Sequence, residues 1–152
     1  MDYSTAIILA YVGVAFMVGL AGVASAIGTS ICGQAAVGAL KKNQDAFGSY
    51  MVLGALPGSQ GLYGFVSFFM VSGLIKDDMT MMQGAAIFGI GILVGVVNLA
   101  ASIYQGKVCA NGISAIASGH DVMGKTLIMA AFPELYAILT VAATYMISAA
   151  VA

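Results

Sequence analysis

The last segment of the chain, residues 122–152, reads VMGKTLIMAAFPELYAILTVAATYMISAAVA. Apart from Lys125 near its start, its only charged residue is Glu134, which is also the only glutamate in the protein. About 20 apolar residues in a helix cross the hydrocarbon of a bilayer, so this segment is long enough to span one. A charge near the bilayer centre costs at least about 2.5–3.5 kcal/mol, so Glu134 is a candidate ion or proton site rather than a packing residue.

The composition of the whole chain agrees with this interpretation. Of its 152 residues, 61% are hydrophobic and only 7% are charged, whereas soluble domains carry about 25% charged residues. Only helices and closed barrels satisfy their backbone in lipid, and no segment alternates with period two, so we expect an all-α membrane protein. The net charge is −1 and arginine is absent, which argues against a nucleic-acid partner.

Three polar breaks, at 41–45, 76–78 and 118–121, divide the chain into four apolar segments. The predicted transmembrane helices are 6–40, 46–75, 80–117 and 122–151. Each is long enough to span a bilayer. The first two form a predicted helical hairpin within residues 1–75, and the last two form a second within residues 76–152.

The two predicted hairpins resemble each other. Leu62-Tyr63 and Leu135-Tyr136 occupy corresponding places in the two halves, and so do Pro57 and Pro133. This pattern is typical of a duplicated hairpin, and the copies have the same orientation because each contains an even number of spans. The carboxylate of Glu134 exists in one copy only.

The lysines predict the orientation in the membrane. Only Lys76 lies at the middle break, whereas the others lie at the first and third breaks or at the helix ends beside them: Lys41, Lys42, Lys107 and Lys125. The positive-inside rule then places the loops 41–45 and 118–121 in the cytoplasm and both termini on the opposite side.

Small residues are concentrated in the first and third segments. Gly22 and Ala26 lie four residues apart in the first, and Gly91 and Gly95 do so in the third. Such spacing is typical of helices that approach closely in a membrane. We expect these two helices to pack together, either simply within one chain or as the tight inner ring of an assembly of many copies.

Polar residues within the spans lie at one predicted depth. Counted from the cytoplasmic ends of their segments, Gln60, Gln105 and Glu134 all lie about 18–21 Å into the membrane, and Ser59 shares that level. Side chains on different helices can meet only at equal depth, so we expect these residues to form one site. Asn98 and Ser102 share a helix face with Gln105 and are further candidates.

The chemistry of this set leaves alternatives open. A carboxylate, two amide oxygens and a hydroxyl suit a small hard cation, and Pro57 can release carbonyl oxygens near Leu53 to Leu56. A proton site needs only the carboxyl group and a hydrogen-bond acceptor, so the two glutamines favour Na⁺. Both glutamines could instead join helices without an ion, and the serines could bond to backbone.

Three motifs carry a resemblance to a known family. They are LPGSQGLYGF at 56–65, SIYQGKV at 102–108 and ELYAIL at 134–139. With these motifs the chain resembles the proteolipid rotor-ring subunits, also called K or c subunits, of V-type and A/V-type ATPases, and most closely the bacterial sodium-translocating type. The resemblance covers the whole length of the chain and implies a homo-oligomeric ring.

The resemblance also implies a ligand set and partners. Na⁺, or H⁺, would be carried by Glu134, with the other ligands supplied by the side chains of Gln60, Gln105 and Ser59 and by the backbone carbonyl of Leu56. Tyr63 would donate a hydrogen bond to Glu134. The implied partners are identical subunits, lipid, a stator subunit with half-channels and a central-stalk subunit. The departures are Ser59, where threonine is usual, and Pro133 directly before the carboxylate.

Two other functions remain open from the residues alone. The first is a small proton- or cation-coupled transporter or channel that acts without an ATPase partner, and the second is a purely structural membrane proteolipid. The sequence contains neither a phosphate-binding Gly-x-x-x-x-Gly-Lys-[Ser/Thr] loop nor a Ser-His-Asp set. We therefore expect no ATP-hydrolysing site in this chain and no organic cofactor.

Overall fold

The computed structural model describes residues 5–152, and these residues form helices joined by short turns. The helices are α1 (Thr5–Leu40), α2 (Phe47–Ala55), α3 (Ser59–Ser72), α4 (Met81–Ala117) and α5 (Met123–Val151), with a 3₁₀ turn (Leu56–Gly58) between α2 and α3. Residues 1–4, with which the predicted first hairpin begins, lie outside the described residues. Three of the helices, α1, α4 and α5, are long and apolar enough to cross a membrane by length and composition.

Helices α1 and α4 pack with their backbones in contact. A Cβ atom added to Gly91 would meet the backbone of Gly13, and one added to Gly106 would lie 2.8 Å from the carbonyl oxygen of Gly28. Only glycine permits this approach, because any side chain would push the two backbones apart. The expected close packing of the first and third segments is therefore confirmed within one chain.

Gly22 does not take part in this packing. A Cβ atom added there would meet no atom within 4 Å among the described residues, apart from those of the adjoining backbone of α1 itself. Its spacing from Ala26 predicted a close contact, but that contact is not made within the chain. The glycine pattern indicates which helices approach each other closely, but not which face of each helix does so.

The second apolar segment is not one continuous α-helix. The segment predicted at 46–75 consists of α2, the 3₁₀ turn and α3, and its helix ends at Ser72. Pro57 lies inside the turn, where it has no N–H to donate and where its ring crowds the preceding residues. The N–H of Ser59 consequently bonds to the carbonyl of Leu56, three residues back, in the tighter 3₁₀ pattern.

Two apolar cores lie along the bundle. One includes Met17, Val71 and Ile87, and the other includes Leu53 and Ile113. The residues between them along the helices include fully buried polar side chains: Gln60, Ser67, Asn98, Ser102, Gln105 and Thr144. Buried polar groups are costly unless they are paired, so these side chains determine how the helices meet at that level.

Candidate ion-binding site

Glu134 lies on α5, directly after Pro133, and its side chain is partly buried. The hydroxyl of Tyr63, on α3, donates a hydrogen bond to Glu134 Oε1 at 2.8 Å. The amide nitrogen Nε2 of Gln105, on α4, donates to Glu134 Oε2 at 3.0 Å. Each carboxylate oxygen thus has a donor from a different helix, which holds the group in one orientation.

Gln105 connects the carboxylate to the rest of the site. Its side chain is fully buried, and its Nε2 donates a second hydrogen bond, of 3.1 Å, to the carbonyl oxygen of Ala130 on α5. Its Oε1 accepts a hydrogen bond of 2.9 Å from Nε2 of Gln60 on α3. One chain of contacts across three helices therefore joins Gln60, Gln105 and Glu134. These contacts agree with the equal depth that the sequence predicted for the three residues.

Gln60 has one polar atom that the other described residues do not satisfy. Its side chain is fully buried, and its Oε1 accepts no hydrogen bond from any residue in 5–152. An unsatisfied buried carbonyl oxygen costs about 1–3 kcal/mol, so a native structure rarely keeps one without a use. An amide oxygen beside a carboxylate is a suitable ligand for a hard cation.

Leu56 begins the 3₁₀ turn that interrupts the second segment, and Ser59 directly follows that turn; this interruption is the break at Pro57. The Ser59 hydroxyl donates a hydrogen bond of 3.0 Å to the Leu56 carbonyl oxygen. Within the described part of the chain, neither residue makes a hydrogen bond to Glu134. The Ser59 hydroxyl and the Leu56 carbonyl oxygen thus lie next to each other, and Ser59 directly precedes Gln60 in the sequence. Their role as ligands stays a prediction.

The two other candidates on the face of Gln105 bond elsewhere. Ser102 Oγ lies 2.9 Å from the Pro57 carbonyl oxygen, which it helps to satisfy. Asn98 Nδ2 donates to Thr140 Oγ1 at 3.1 Å and to the Val94 carbonyl at 2.8 Å. Neither side chain is hydrogen-bonded to Glu134, so sharing a helix face with Gln105 does not place a residue at the carboxylate.

The sequence did not single out Ser25, on α1. Its hydroxyl donates a hydrogen bond of 3.0 Å to the Gly58 carbonyl and accepts one of 2.8 Å from the Gly61 N–H. One serine among the many small residues of α1 has no distinguishing spacing. The signal that could have found it is the break at Pro57, because a freed backbone group requires a partner from a neighbouring helix.

Comparison with known proteins shows the class to which this bundle belongs. The family model for the C subunit of ATP synthase matches the chain twice, at residues 12–71 and 88–147. The chain belongs to this family of ATP synthase C subunits, so the resemblance to rotor-ring proteolipids is confirmed. It is a multi-pass membrane protein, and the homologous subunits are non-catalytic membrane subunits.

Two relatives are similar over most of this chain. The K subunit of the V-type sodium ATPase of Enterococcus hirae is 38% identical over 118 residues, which cover 78% of this chain and 76% of that protein. The K subunit of the A-type ATP synthase of Methanocaldococcus jannaschii is 36% identical over 132 residues, which cover 87% of this chain and 58% of that protein.

Proposed function

We propose that this protein is the ion-carrying rotor subunit of a rotary ATPase, and that it translocates Na⁺ by reversible binding at Glu134. The observation that carries the proposal is the junction of Glu134, Gln105 and Gln60, three polar side chains from three helices that are joined by hydrogen bonds. Membership of the family of ATP synthase C subunits supports the rotary context. The relative named as part of a sodium ATPase supports Na⁺ as the transported ion.

The proposed ligands are the Glu134 carboxylate, the side-chain oxygens of Gln60, Gln105 and Ser59, and the Leu56 carbonyl. The unsatisfied Oε1 of Gln60 fits this role, because a bound cation would satisfy it. Tyr63 would not bind the ion but would hold the carboxylate through its hydrogen bond to Oε1.

The charge of the carboxylate explains why the ion must be carried. An isolated ionised carboxylate facing lipid is costly, and a bound Na⁺ or a proton removes that cost. Glu134 can therefore pass the lipid only when it is loaded. Moving one charge across the membrane potential involves about 2.3 kcal/mol per 100 mV, which is the work each loaded subunit exchanges with the rotary machine.

We further propose the assembly around this subunit. Four spans, with α2 and α3 together forming the second, make two hairpins within residues 1–75 and 76–152. Identical copies form a ring, a stator subunit supplies half-channels for loading and unloading, and a protein of the central stalk joins the ring to the ATP-handling part. The loops 41–45 and 118–121 lie in the cytoplasm, with both termini on the other side.

A hydrophobic carbodiimide tests the ion site, because it reacts with a protonated carboxyl group in apolar surroundings. We expect it to label Glu134 within the spans, to leave Glu134→Gln unlabelled there, and to react more slowly as Na⁺ is added at constant pH and ionic strength. Choline at the same concentration is the control for ionic strength. Labelling rates that are equal in Na⁺ and choline would refute Na⁺ as the ligand.

Imaging of the detergent-solubilised protein tests the assembly. A ring of many copies is the expected particle. A monomer or small oligomer that moves ions alone in lipid vesicles would contradict the rotor proposal and favour an independent transporter.

A further inference from the structure

The break in the second segment is held by serines from two other helices. The carbonyl oxygens of Pro57 and Gly58 follow directly after that of Leu56, the proposed ligand. Ser102 on α4 bonds to the first of them at 2.9 Å, and Ser25 on α1 bonds to the second at 3.0 Å. The backbone at the proposed site is therefore tied to both glycine-rich helices.

The hydroxyl of Ser25 bonds to the backbone on both sides of the proposed ligands Ser59 and Gln60. Its hydroxyl donates to the carbonyl of Gly58, which precedes them, and accepts from the N–H of Gly61, which follows them, at 2.8 Å. A single side chain of α1 thus sets the position of the turn that carries two of the ligands. A hydroxyl can make both bonds because it donates one hydrogen and accepts another.

Ser102 makes the matching contact from α4. Its side chain is fully buried, and its Oγ lies 2.7 Å from the Ala24 carbonyl and 2.9 Å from the Pro57 carbonyl, so its one hydrogen serves two acceptors. Gly28 makes room for this contact, because a Cβ atom there would lie 2.5 Å from Pro57 Cβ. Ser102 also lies one helical turn from Gln105, so the same stretch of α4 carries a ligand and a support for the others.

We propose that Ser25 and Ser102 are positioning residues of the ion site. By binding the backbone around Pro57, they keep the Leu56 carbonyl and the Ser59 and Gln60 side chains aligned with Glu134, without themselves binding the ion. This inference rests on the proposed function. It predicts a selective effect: cation binding needs all the oxygens in place, whereas proton binding needs only the carboxyl group and its immediate partners.

The test compares Ser25→Ala and Ser102→Ala with two control variants. Ser25→Thr keeps the hydroxyl. Thr29→Val removes a hydroxyl on the same helix whose partners among residues 5–152 are carbonyls of its own helix, those of Ser25 and Ala26. For each variant, the Na⁺ concentration that halves the rate of carbodiimide labelling of Glu134 is measured, together with the pH of half-maximal labelling without Na⁺.

Each alanine variant should raise the Na⁺ concentration for half protection at least about fivefold, because one lost hydrogen bond usually has that effect and each serine makes two. Ser25→Thr and Thr29→Val should stay within about twofold of the unaltered protein, well below that effect. The pH of half-maximal labelling should be the same in all variants. If Ser102→Ala does not assemble, the contrast between Ser25→Ala and Ser25→Thr decides the question.

Suppose that Na⁺ protects the unaltered protein and protects the alanine variants equally well. That result would overturn the positioning role but not the proposed function. An equal loss in Thr29→Val, or an equal shift in the pH of labelling, would also overturn the positioning role, because the effect would then be a general disturbance. Absence of Na⁺ protection in the unaltered protein would instead refute the proposed function, and this inference with it.

Discussion

Replacing Gln105 by alanine should weaken Na⁺ binding strongly while leaving the carboxylate intact. The side chain makes three hydrogen bonds: one to Glu134 Oε2 at 3.0 Å, one to the Ala130 carbonyl at 3.1 Å, and one accepted from Gln60 at 2.9 Å. All three lie at the proposed site, and the side chain is fully buried. Water therefore cannot easily replace the lost partners.

The magnitude follows from these bonds. A hydrogen bond to a charged group contributes about 1.5–3 kcal/mol, and an unsatisfied buried partner costs about 1–3 kcal/mol. Part of this cost falls on both the loaded and the unloaded protein and so does not affect binding. We therefore expect Gln105→Ala to lose about 2 kcal/mol of Na⁺ binding, which is about a 30-fold rise in the dissociation constant.

The assay is Na⁺ protection of Glu134 against carbodiimide, with ring assembly checked on the same sample. Gln83→Ala is the matched control: Gln83 lies on the same helix, and its Nε2 also donates to a carbonyl, that of Val151, at 2.9 Å. It lies about 33 Å from Gln105 along the helix axis, at 1.5 Å per residue. Similar Na⁺ dependence in Gln105→Ala and the unaltered protein would show that Gln105 only joins helices.

Two further outcomes are expected. Tyr63→Phe removes the 2.8 Å hydrogen bond to Glu134 Oε1 but no proposed ligand. It should therefore cost about 1–2 kcal/mol of Na⁺ binding. Full protection of this variant at the normal Na⁺ concentration would contradict the role of Tyr63 in holding the carboxylate. Gly91→Leu should prevent folding in detergent, because a side chain there meets the Gly13 backbone. Gly22→Leu should leave the helix bundle intact, because no other helix of the described residues approaches that site. Circular dichroism and size-exclusion chromatography distinguish the two variants, and an intact bundle in both would refute the packing of α1 against α4.

The membrane class and the position of the site along the helices could be predicted from the sequence. Low charge and long apolar segments require helices in lipid, and the rise of 1.5 Å per residue converts sequence position into depth. That conversion predicted that Gln60, Gln105 and Glu134 would meet, and the structure brings them together. Their role as Na⁺ ligands stays a prediction.

The tertiary structure, and not the sequence, decided how each helix is rotated about its own axis, and hence which neighbour each of its faces meets. Asn98 and Ser102 share a helix face with Gln105, yet they bond to α5 and to the break at Pro57 respectively. Gly22 fits a close-packing pattern, yet within residues 5–152 no other helix approaches the place where its Cβ atom would lie, whereas Gly91 touches the α1 backbone. A sequence pattern defines a face within one helix, but which neighbour that face meets depends on how all the helices pack together.

The break at Pro57 also shows which features the sequence determines and which ones the tertiary structure decides. Pro57 by itself determined that a backbone hydrogen bond would be lost, because proline has no N–H to donate. That lost bond is the one to the Leu53 carbonyl, four residues earlier. Which side chains bond to the backbone around Pro57 depended instead on the approach of α1 and α4, which brings the hydroxyls of Ser25 and Ser102 to the Gly58 and Pro57 carbonyls. Proline chemistry therefore predicted an interruption of the helix, and only the packing of distant segments decided which side chains bond to it.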